Sequence, residues 1–220
     1  MYGGLEGVTA PRELPDPITV SVICPTSHRM NRHAALYEVF KAQTYPHRDL
    51  WILDDDTPRP SPVFAHIAQK DSRVHYRQIP GRQCTGYKRN SLIQESGGSI
   101  IVHFDDDDWY CPTYIESMVD KIVTADADLV KLGTWNSRRE RDGHRWTEHS
   151  RNPGDMWGFG FSYVYRRHAA TRIQFPNLYC GEDMMFVSAL MHVGMKAVLV
   201  MDSPGWVEHL IHGSNTSKKC

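Results

Sequence analysis

Residues 100–110 read IIVHFDDDDWY, an apolar run that ends abruptly in four consecutive aspartates, Asp105 to Asp108. The segment SIIVHF, residues 99–104, has the length and the β-branched content of a strand buried on both faces of a parallel sheet. In open α/β sheets ligands bind at the carboxyl ends of such strands, which is where the aspartates fall. Because four adjacent like charges repel one another, a cation, backbone donors or solvent must stabilise them. The stretch therefore predicts a central strand that ends in a candidate metal site.

The residue types in this run favour a hard metal ion. Clusters made only of carboxylates suit Mg²⁺ or Mn²⁺, which keep open coordination positions for the phosphate oxygens of a substrate. The alternative interpretation is a solvated acidic turn that caps a helix beginning near Pro112. The rest of the chain shifts the balance toward the metal site.

The composition is that of an ordinary globular domain. The chain has 220 residues, of which 40% are hydrophobic and 23% charged, and its formal net charge is -1. This length is enough for one substantial core, and the net charge gives no global attraction to nucleic acid or membranes. We expect one domain over residues 18–217, with a nucleotide-binding half (18–110) and an acceptor half (111–217). A flexible, Pro-rich leader (1–17) and a short tail (218–220) would flank it.

The cysteines and the apolar runs bear on the compartment. The five cysteines are widely spread, odd in number and form no CxxC pair, so they indicate neither a disulfide framework nor a zinc knuckle. No apolar run approaches the roughly 18 residues of a membrane span, and the amino terminus has no basic region followed by an apolar core. We expect a cytoplasmic protein.

Predicted strands and helices alternate along the first half of the chain. The strands are expected at residues 18–26, 49–56, 74–79 and 99–104, and the helices at residues 31–43, 62–69, 83–95 and 112–124. This alternation predicts an α/β fold with a mostly parallel sheet and helices on both faces. No GxGxxG or GxxxxGK[ST] motif is present, so a bound nucleotide would need a metal ion instead of a glycine-rich phosphate loop.

The second half differs in character. After a predicted strand at residues 128–134, residues 131–172 carry nine Lys or Arg against four Asp or Glu, interleaved with aromatic residues. We expect a small antiparallel subregion here, with FSYVYRR (161–167) as one of its strands. A helix at residues 182–194 and a strand at residues 196–200 follow.

Five segments occur in a fixed order: VSVICPTSHR, KAQTYPHRDLWILDDDT, GYKRNSLIQESGGSIIVHFDDDDWYCP, GEDMMFVSALMHVGMKAVLV and HGSNTS. Together they resemble the ordered landmarks of family 2 nucleotide-sugar glycosyltransferases with the GT-A fold, over about residues 18–217. The resemblance implies a single-domain, Rossmann-like GT-A fold. It also implies a metal-dependent, inverting transfer of a sugar from a UDP-sugar to an acceptor hydroxyl.

The same resemblance assigns residues to the nucleoside. It places Pro25 and Thr26 along the base, and Asp54 and Asp55 on uracil or ribose, where carboxylates accept hydrogen bonds from imide N–H and hydroxyl groups. The family usually has glycine at the next position, whereas this chain has Asp56. If that position requires a positive φ, Asp tolerates it better than most residues.

Other residues are assigned to the rest of the donor. Arg89 and Asn90 resemble the family's Arg-Asn pair, and an arginine there could neutralise a diphosphate bidentately. The alternative for Arg89, and more so for Lys88, is a solvated helix face. Asp105 and Asp106, in the family's DXD motif, are expected to face the ribose or bound water.

Metal binding and catalysis are assigned to four residues on the same basis. Asp107 is the first choice as a direct ligand of Mn²⁺ or Mg²⁺, and His212 resembles a late histidine that completes the coordination, with His209 as the competing candidate. Glu182 and Asp183 match the family's Glu-Asp motif, in which the aspartate is the catalytic base. The alternative is that both acids only stabilise a helix amino terminus, by about 0.3–1 kcal/mol.

The acceptor side is less defined. Trp157 and Gly158 are the candidates for an acceptor platform, and the acceptor stays open between a glycan, a small molecule, a protein and a nucleic acid. The basic excess at residues 138–151 fits either an anionic acceptor or a solvated hairpin. Two rival functions also stay open, a nucleotidyltransferase of related topology and a noncatalytic binding module for carbohydrates or nucleotide sugars.

Overall fold

The computed structural model describes residues 14–150, 152–201, 205–213 and 215. Residues 1–13 of the expected leader and the whole expected tail lie outside these ranges. Within them the strands are β1 (Val20–Ser27), β2 (Arg48–Asp55), β3 (Val74–Ile79), β4 (Ile100–His103), β5 (Trp109–Tyr110), β6 (Leu129–Leu132), β7 (Trp135–Arg139), β8 (Arg145–Glu148), β9 (Val164–Arg166), β10 (Ala197–Val200) and β11 (Val207–Ile211). The α-helices are α1 (His33–Ala42), α2 (Pro62–Ile67), α3 (Thr85–Glu95), α4 (Tyr114–Thr124), α5 (Arg167–Arg172) and α6 (Glu182–His192).

A seven-stranded main sheet forms the centre of the protein, in the order β10-β6-β9-β4-β1-β2-β3. All neighbouring strands are parallel except β9, which runs antiparallel to both β4 and β6. The mixed α/β fold with a mostly parallel sheet is therefore confirmed. The strand expected in FSYVYRR is shorter than predicted and lies in this sheet, not in the antiparallel subregion.

A second sheet of four strands, in the order β5-β11-β7-β8, lies beside the first. β7 and β8 form the antiparallel hairpin that the sequence indicates. β11 runs parallel to β7 and antiparallel to β5. Because β5 directly follows the acidic loop at residues 105–108, this pairing returns the end of the described chain to that loop.

Helices cover both faces of the main sheet. Alternate residues of β1 belong to two separate core clusters, with Val22 in one and Ile23 in the other, as the two-residue repeat of a strand requires. Helices α1, α2 and α4 contribute to the first cluster, and α3, α5 and α6 to the second. The apolar runs of the strands are thus buried on both faces of the main sheet, under the two helix layers.

Local sequence signals set several element ends. Ser61 caps α2 by accepting a hydrogen bond from the backbone N–H of Phe64 at 3.4 Å, and Pro62 occupies the first turn. Asp56 has a φ of 55°, a left-handed conformation that Asp tolerates better than most residues. Gly181 has a φ of 80° immediately before α6, where a side chain would be strained.

Two further features bear on the sequence predictions. No helix in the described part of the chain is long and apolar enough to cross a membrane. Cys180 takes part in a disulfide, which the spacing of the cysteines does not indicate, whereas Cys24, Cys84 and Cys111 are free thiols.

Candidate active site

A cavity of about 570 Å³ lies at the carboxyl ends of β1, β2 and β4. Its walls come from separate parts of the chain: residues 25–29 at the end of β1, residues 105–107 after β4, residues 158–161 before β9, and residues 179–183 at the start of α6. The parallel strands of the main sheet end at one edge, so their polar ends meet there. The position is the one that the sequence predicts for a ligand site.

The acidic loop is held by side chains from β1 and from the end of the chain. Asp106 accepts hydrogen bonds from Thr26 Oγ1 at 2.5 Å and from Arg29 Nη1 at 2.7 Å. Asp107 Oδ2 accepts from the same Arg29 nitrogen at 2.6 Å and from His212 Nε2 at 2.6 Å. The two carboxylates are buried, so these charged hydrogen bonds lie in a medium of low dielectric, where each is stronger than in water.

The two candidate metal ligands, His209 and His212, are hydrogen-bonded to different carboxylates. His209 Nδ1 lies 2.8 Å from Asp108 Oδ2, and the Leu210 backbone N–H donates to Asp108 Oδ1 at 2.9 Å. Burial alone would lower the pKa of His209, but the Asp108 charge outweighs it and raises that pKa to about 9. His209 lines the cavity while paired with Asp108, whereas His212 contacts Asp107 directly.

The donor set fits a divalent cation. Asp105, Asp107 and Asp108 each offer a carboxylate oxygen within 4.8 Å of the others. Burial and the neighbouring carboxylates Asp108 and Asp107 raise the pKa of Asp105 to about 8, and burial with the charges of Asp108 and Asp106 also raises that of Asp107. A cation among these oxygens would relieve the repulsion, and a set of carboxylate oxygens suits Mg²⁺ or Mn²⁺.

Asp55, the last residue of β2, forms a buried ion pair with Lys88 in the cavity wall. Lys88 Nζ donates to Asp55 Oδ1 at 2.8 Å and to the Thr26 carbonyl at 3.1 Å. The Gln83 backbone N–H donates to the other oxygen of Asp55 at 2.5 Å. Pro25 and Thr26 line the cavity beside this pair. Asp55 therefore stands at the cavity with both oxygens oriented by fixed donors.

Asp54, unlike Asp55, points away from the cavity and into the protein interior. Its carboxylate accepts from Thr57 Oγ1 at 2.5 Å and from the Tyr76 hydroxyl at 2.9 Å, and it is fully buried. The cavity lining includes Asp55 and Asp56 but not Asp54. Successive residues of a strand face opposite sides, which accounts for the difference.

Arg89 binds the acids of α6. Its Nη1 donates to Glu182 Oε1 at 2.8 Å and to Asp183 Oδ1. The Gly160 backbone N–H donates to Asp183 Oδ2 at 3.0 Å. A Cβ on Gly160 would lie 2.4 Å from Asp183 Oδ1, so only glycine allows this approach. Arg89 lines the cavity, yet its two contacts here are carboxylates of the candidate catalytic pair.

The expected acceptor residues lie next to Asp183. Gly158 is exposed and lines the cavity, whereas Trp157 is half-buried against the core on the α3 and α6 side. The Tyr163 hydroxyl donates to the Trp157 carbonyl and, at 3.2 Å, to the Asp183 carbonyl. These contacts tie the segment before β9 to the first turn of α6.

The structure adds one site residue that sequence reasoning missed, Arg29, and gives Lys88 a definite partner. Arg29 contacts both Asp106 and Asp107, and Lys88, for which a solvated helix face was the alternative, is buried on Asp55. The available signal for Arg29 was its position as the first cation after the Pro-Thr end of β1. The signal for Lys88 was its place one residue before Arg89. Neither signal specifies which carboxylate each cation binds.

Comparison with known proteins gives the family. The sequence matches the model of "Glycosyl transferase family 2" over residues 21–194. It is 24% identical over 125 residues to glycosyltransferase GlyA of Streptococcus pneumoniae, covering 56% of this chain and 18% of that protein. It is 28% identical over 127 residues to the uncharacterized glycosyltransferase YwdF of Bacillus subtilis, covering 54% of this chain and 46% of that one. The chain thus matches less than half of the length of either relative.

Solved structures agree in fold. The structure of S. aureus TarS 1-349 in complex with UDP-GlcNAc has a TM-score of 0.75 at 14% identity, over 92% of this chain and 61% of that one. The mannosyltransferase PcManGT from Pyrobaculum calidifontis, in complex with GDP-Man and Mn²⁺, has a TM-score of 0.68 at 16% identity, over 87% of this chain and 56% of that one. With the GT-A arrangement of strands and a family match over most of its length, this chain belongs to glycosyl transferase family 2.

Proposed function

We propose that the protein transfers a sugar from a UDP-sugar to an acceptor hydroxyl, with inversion at the anomeric carbon and with a requirement for Mn²⁺ or Mg²⁺. One observation carries the proposal: the acidic loop and Asp183 line the same cavity from opposite parts of the chain. That arrangement supplies a place for the diphosphate and a separate base for the acceptor. The UDP-GlcNAc complex of TarS and the Mn²⁺ complex of PcManGT support it by fold.

The nucleoside would bind against Asp55 and Pro25. The Asp55 oxygens already accept from Lys88 and Gln83, but each carboxylate oxygen has a second lone pair that can accept from uracil or ribose. Lys88 and Gln83 hold the carboxylate in one orientation, which lowers the entropy lost when the nucleoside binds. Asp54, bound to Thr57 and Tyr76, would position this wall from behind.

The metal would be held by Asp107 and His212, with Asp105 and Asp106 toward the ribose or bound water. When bound, the ion would neutralise the diphosphate and stabilise the departing UDP. His212 Nε2 and Asp107 Oδ2 lie 2.6 Å apart, so both atoms could contact one ion. Thr26 keeps Asp106 in place through its hydroxyl.

Asp183 would act as the base. Its two oxygens are oriented by Arg89 and by the Gly160 N–H, and Glu182 accepts from the same Arg89 nitrogen. The acceptor oxygen forms a bond to the anomeric carbon as its proton passes to Asp183. The bond from that carbon to the diphosphate breaks, and its electron pair leaves with UDP. A single displacement of this kind inverts the anomeric centre. The acceptor would approach past Gly158 and, behind it, Trp157.

The function is tested with a panel of UDP-sugars in the presence of Mn²⁺, recording free UDP and following the anomeric proton of the product by NMR. We expect UDP release with at least one donor, and a product of inverted configuration. Release of pyrophosphate in a parallel incubation with UTP and a sugar 1-phosphate would indicate a nucleotidyltransferase, and binding of UDP-sugars without turnover would indicate a binding module. A product of retained configuration would contradict the single displacement.

The metal assignment has its own test in Mn²⁺-dependent UDP binding. His212→Ala should weaken that binding more than His209→Ala, because His212 contacts Asp107 whereas His209 is engaged by Asp108. Calorimetry with UDP, with and without Mn²⁺, measures both variants. The opposite ranking would transfer the ligand role to His209.

A further inference from the structure

Arg29 places one nitrogen between two carboxylates of the acidic loop. Nη1 lies 2.7 Å from Asp106 Oδ1 and 2.6 Å from Asp107 Oδ2, and the carboxylate side chains are only 2% exposed. Before it, His28 has a φ of 55°, a left-handed conformation that turns the chain at the end of β1. The guanidinium thus provides positive charge at the centre of the acidic loop.

The same oxygen of Asp107 serves two partners. Asp107 Oδ2 accepts from Arg29 and also from His212. A divalent ion that took this oxygen together with His212 would approach the guanidinium, and two cations in one buried site repel each other. The Arg29 side chain is 22% exposed and lines the cavity, so it also faces the space in which the donor would bind.

The other cations of the cavity have different partners. In the described part of the chain, the Lys and Arg side chains that line the cavity are Arg29, Arg82, Lys88 and Arg89. Lys88 pairs with Asp55, Arg89 pairs with the acids of α6, and Arg82 stacks over the ring of Tyr179 at 5.1 Å. Arg29 is therefore the cavity cation whose carboxylates belong to the proposed metal site.

We propose that Arg29 holds the acidic loop together before the divalent ion binds, leaves Asp107 when the ion binds, and then contacts the donor diphosphate. Arg29 is in this sense a positioning residue that becomes a donor-binding residue, and it links metal binding to donor binding. The inference rests on the proposed function, through the metal site for its displacement step and through the UDP-sugar donor for its diphosphate step. The displacement from Asp107 concerns the metal alone.

The proposal makes two predictions of opposite sign for Arg29→Gln. Without nucleotide, Mn²⁺ should bind at least about 5-fold more tightly, since a competing cation is gone and typical coupling between two ligands begins at that size. With saturating Mn²⁺, UDP should bind roughly 10-fold more weakly, because a charged hydrogen bond to the diphosphate is lost. Free Mn²⁺ is measured by electron paramagnetic resonance and UDP affinity by calorimetry.

Two further variants keep the test decisive. Arg29→Lys retains the charge and should leave Mn²⁺ affinity near that of the wild type. Arg32→Gln is the matched control, because Arg32 lies three residues away and pairs with Glu140 instead of the acidic loop. It should change neither affinity.

The outcomes separate the roles. Opposite changes in Mn²⁺ and UDP affinity for Arg29→Gln, with Arg32→Gln unchanged, support the proposal. A parallel loss of both affinities would show that Arg29 only maintains the loop, and no change in either would show that it is a bystander; both overturn the proposal. If wild-type protein binds Mn²⁺ but no UDP, the proposed function fails, while the Mn²⁺ comparison still decides the displacement.

Discussion

The side chain of Asp183, the proposed base, is held in one orientation by Arg89 and by the Gly160 N–H. Replacing it by Asn keeps the shape, removes the basicity and leaves one of its two donors, Arg89 or the Gly160 N–H, facing an amide N–H₂. We expect sugar transfer to slow by roughly 10²- to 10⁴-fold, the usual contribution of general-base catalysis. Mn²⁺-dependent UDP affinity should stay close to wild type.

The control for this substitution is Asp155→Asn, which changes an exposed carboxylate bonded to Ser150 and Asn152. It should transfer sugar at the wild-type rate. Initial rates of UDP release and calorimetric UDP affinities compare the two variants. If Asp183→Asn also transfers at the wild-type rate, Asp183 only stabilises the start of α6 and the base must be sought elsewhere.

Lys131 is a buried cation whose effect on stability depends on pH. Its side chain is fully buried, Nζ donates to the Leu132 carbonyl at 2.8 Å, and it lies 4.4 Å from the ring centre of Trp135. Burial lowers the Lys131 pKa from 10.5 to about 7, although attraction to Asp183 opposes the shift. Between these values the unfolded chain binds more protons than the folded one, so this contribution to the free energy of unfolding rises with pH.

Lys131→Met should remove that rise. From pH 7 to pH 9 the wild type should gain stability relative to the variant, by at most about 1.4 kcal/mol per pH unit. Urea unfolding of both proteins at pH 7, 8 and 9 measures the difference, in which titrations shared by the two proteins cancel. Parallel pH curves would mean that Lys131 titrates as an ordinary lysine.

The arginines show what sequence reasoning could reach at this scale. The order of motifs identifies Arg89 as a site residue, and the structure does place it at the cavity. Its partners are Glu182 and Asp183, which are more than 90 residues away in sequence. Which carboxylate a long side chain reaches depends on loop positions that periodicity does not encode, and Arg29 was missed for the same reason.

Among the elements, β9 illustrates the limit of pattern reading. Its β-branched and aromatic residues predict a strand correctly, and its buried pattern fits a central position. Its partners, β4 and β6, are fixed by long-range packing, in which Tyr165 and Val164 oppose residues of both strands. Alternation of strands and helices predicts the parallel part of the sheet, because each crossover connects elements that are consecutive in sequence. The positions of β9 and β11 depend on pairing with strands that are distant in sequence, which the alternation does not predict.

The turn before β9 supports a prediction of its own. Gly160→Ala would place a Cβ 2.4 Å from Asp183 Oδ1, so the first turn of α6 or this turn must shift and the Gly160 hydrogen bond must weaken. We expect sugar transfer to fall by about 10²-fold, as a displacement of about 1 Å in a catalytic group can cause. UDP affinity should change little, because Asp55 and Asp107 lie on other elements.

Gly97→Ala is the matched control, since a Cβ there meets no atom within 4 Å. It should leave both transfer and the melting temperature near wild type. Rates of UDP release and thermal melts compare the two variants. Full activity in Gly160→Ala would show that the position of Asp183 relative to this turn does not matter.

Across the whole molecule, the two sheets meet at the acidic loop. β4 of the main sheet enters it, β5 of the second sheet leaves it, and β11 lies next to β5 in that second sheet, just before His212. A metal held by Asp107 and His212 would therefore join the middle of the chain to its end. Binding at such a junction stabilises the folded state alone, because the ligands are far apart in the unfolded chain.

This connection predicts a stability change on ligand binding. With Mn²⁺ and UDP present together at about 100 times the dissociation constant of UDP, the folded state should gain roughly 2.7 kcal/mol. For a chain of this length that corresponds to an increase of about 5–10 °C in melting temperature.

EDTA should abolish the increase, because the diphosphate would then face the carboxylates of the acidic loop unshielded. Asp107→Ala should abolish it with Mn²⁺ present, whereas Asp120→Ala, which changes an exposed acid on α4, should retain it. Differential scanning calorimetry of the three proteins gives the comparison, and an undiminished UDP effect in EDTA or in Asp107→Ala would remove the metal from donor binding.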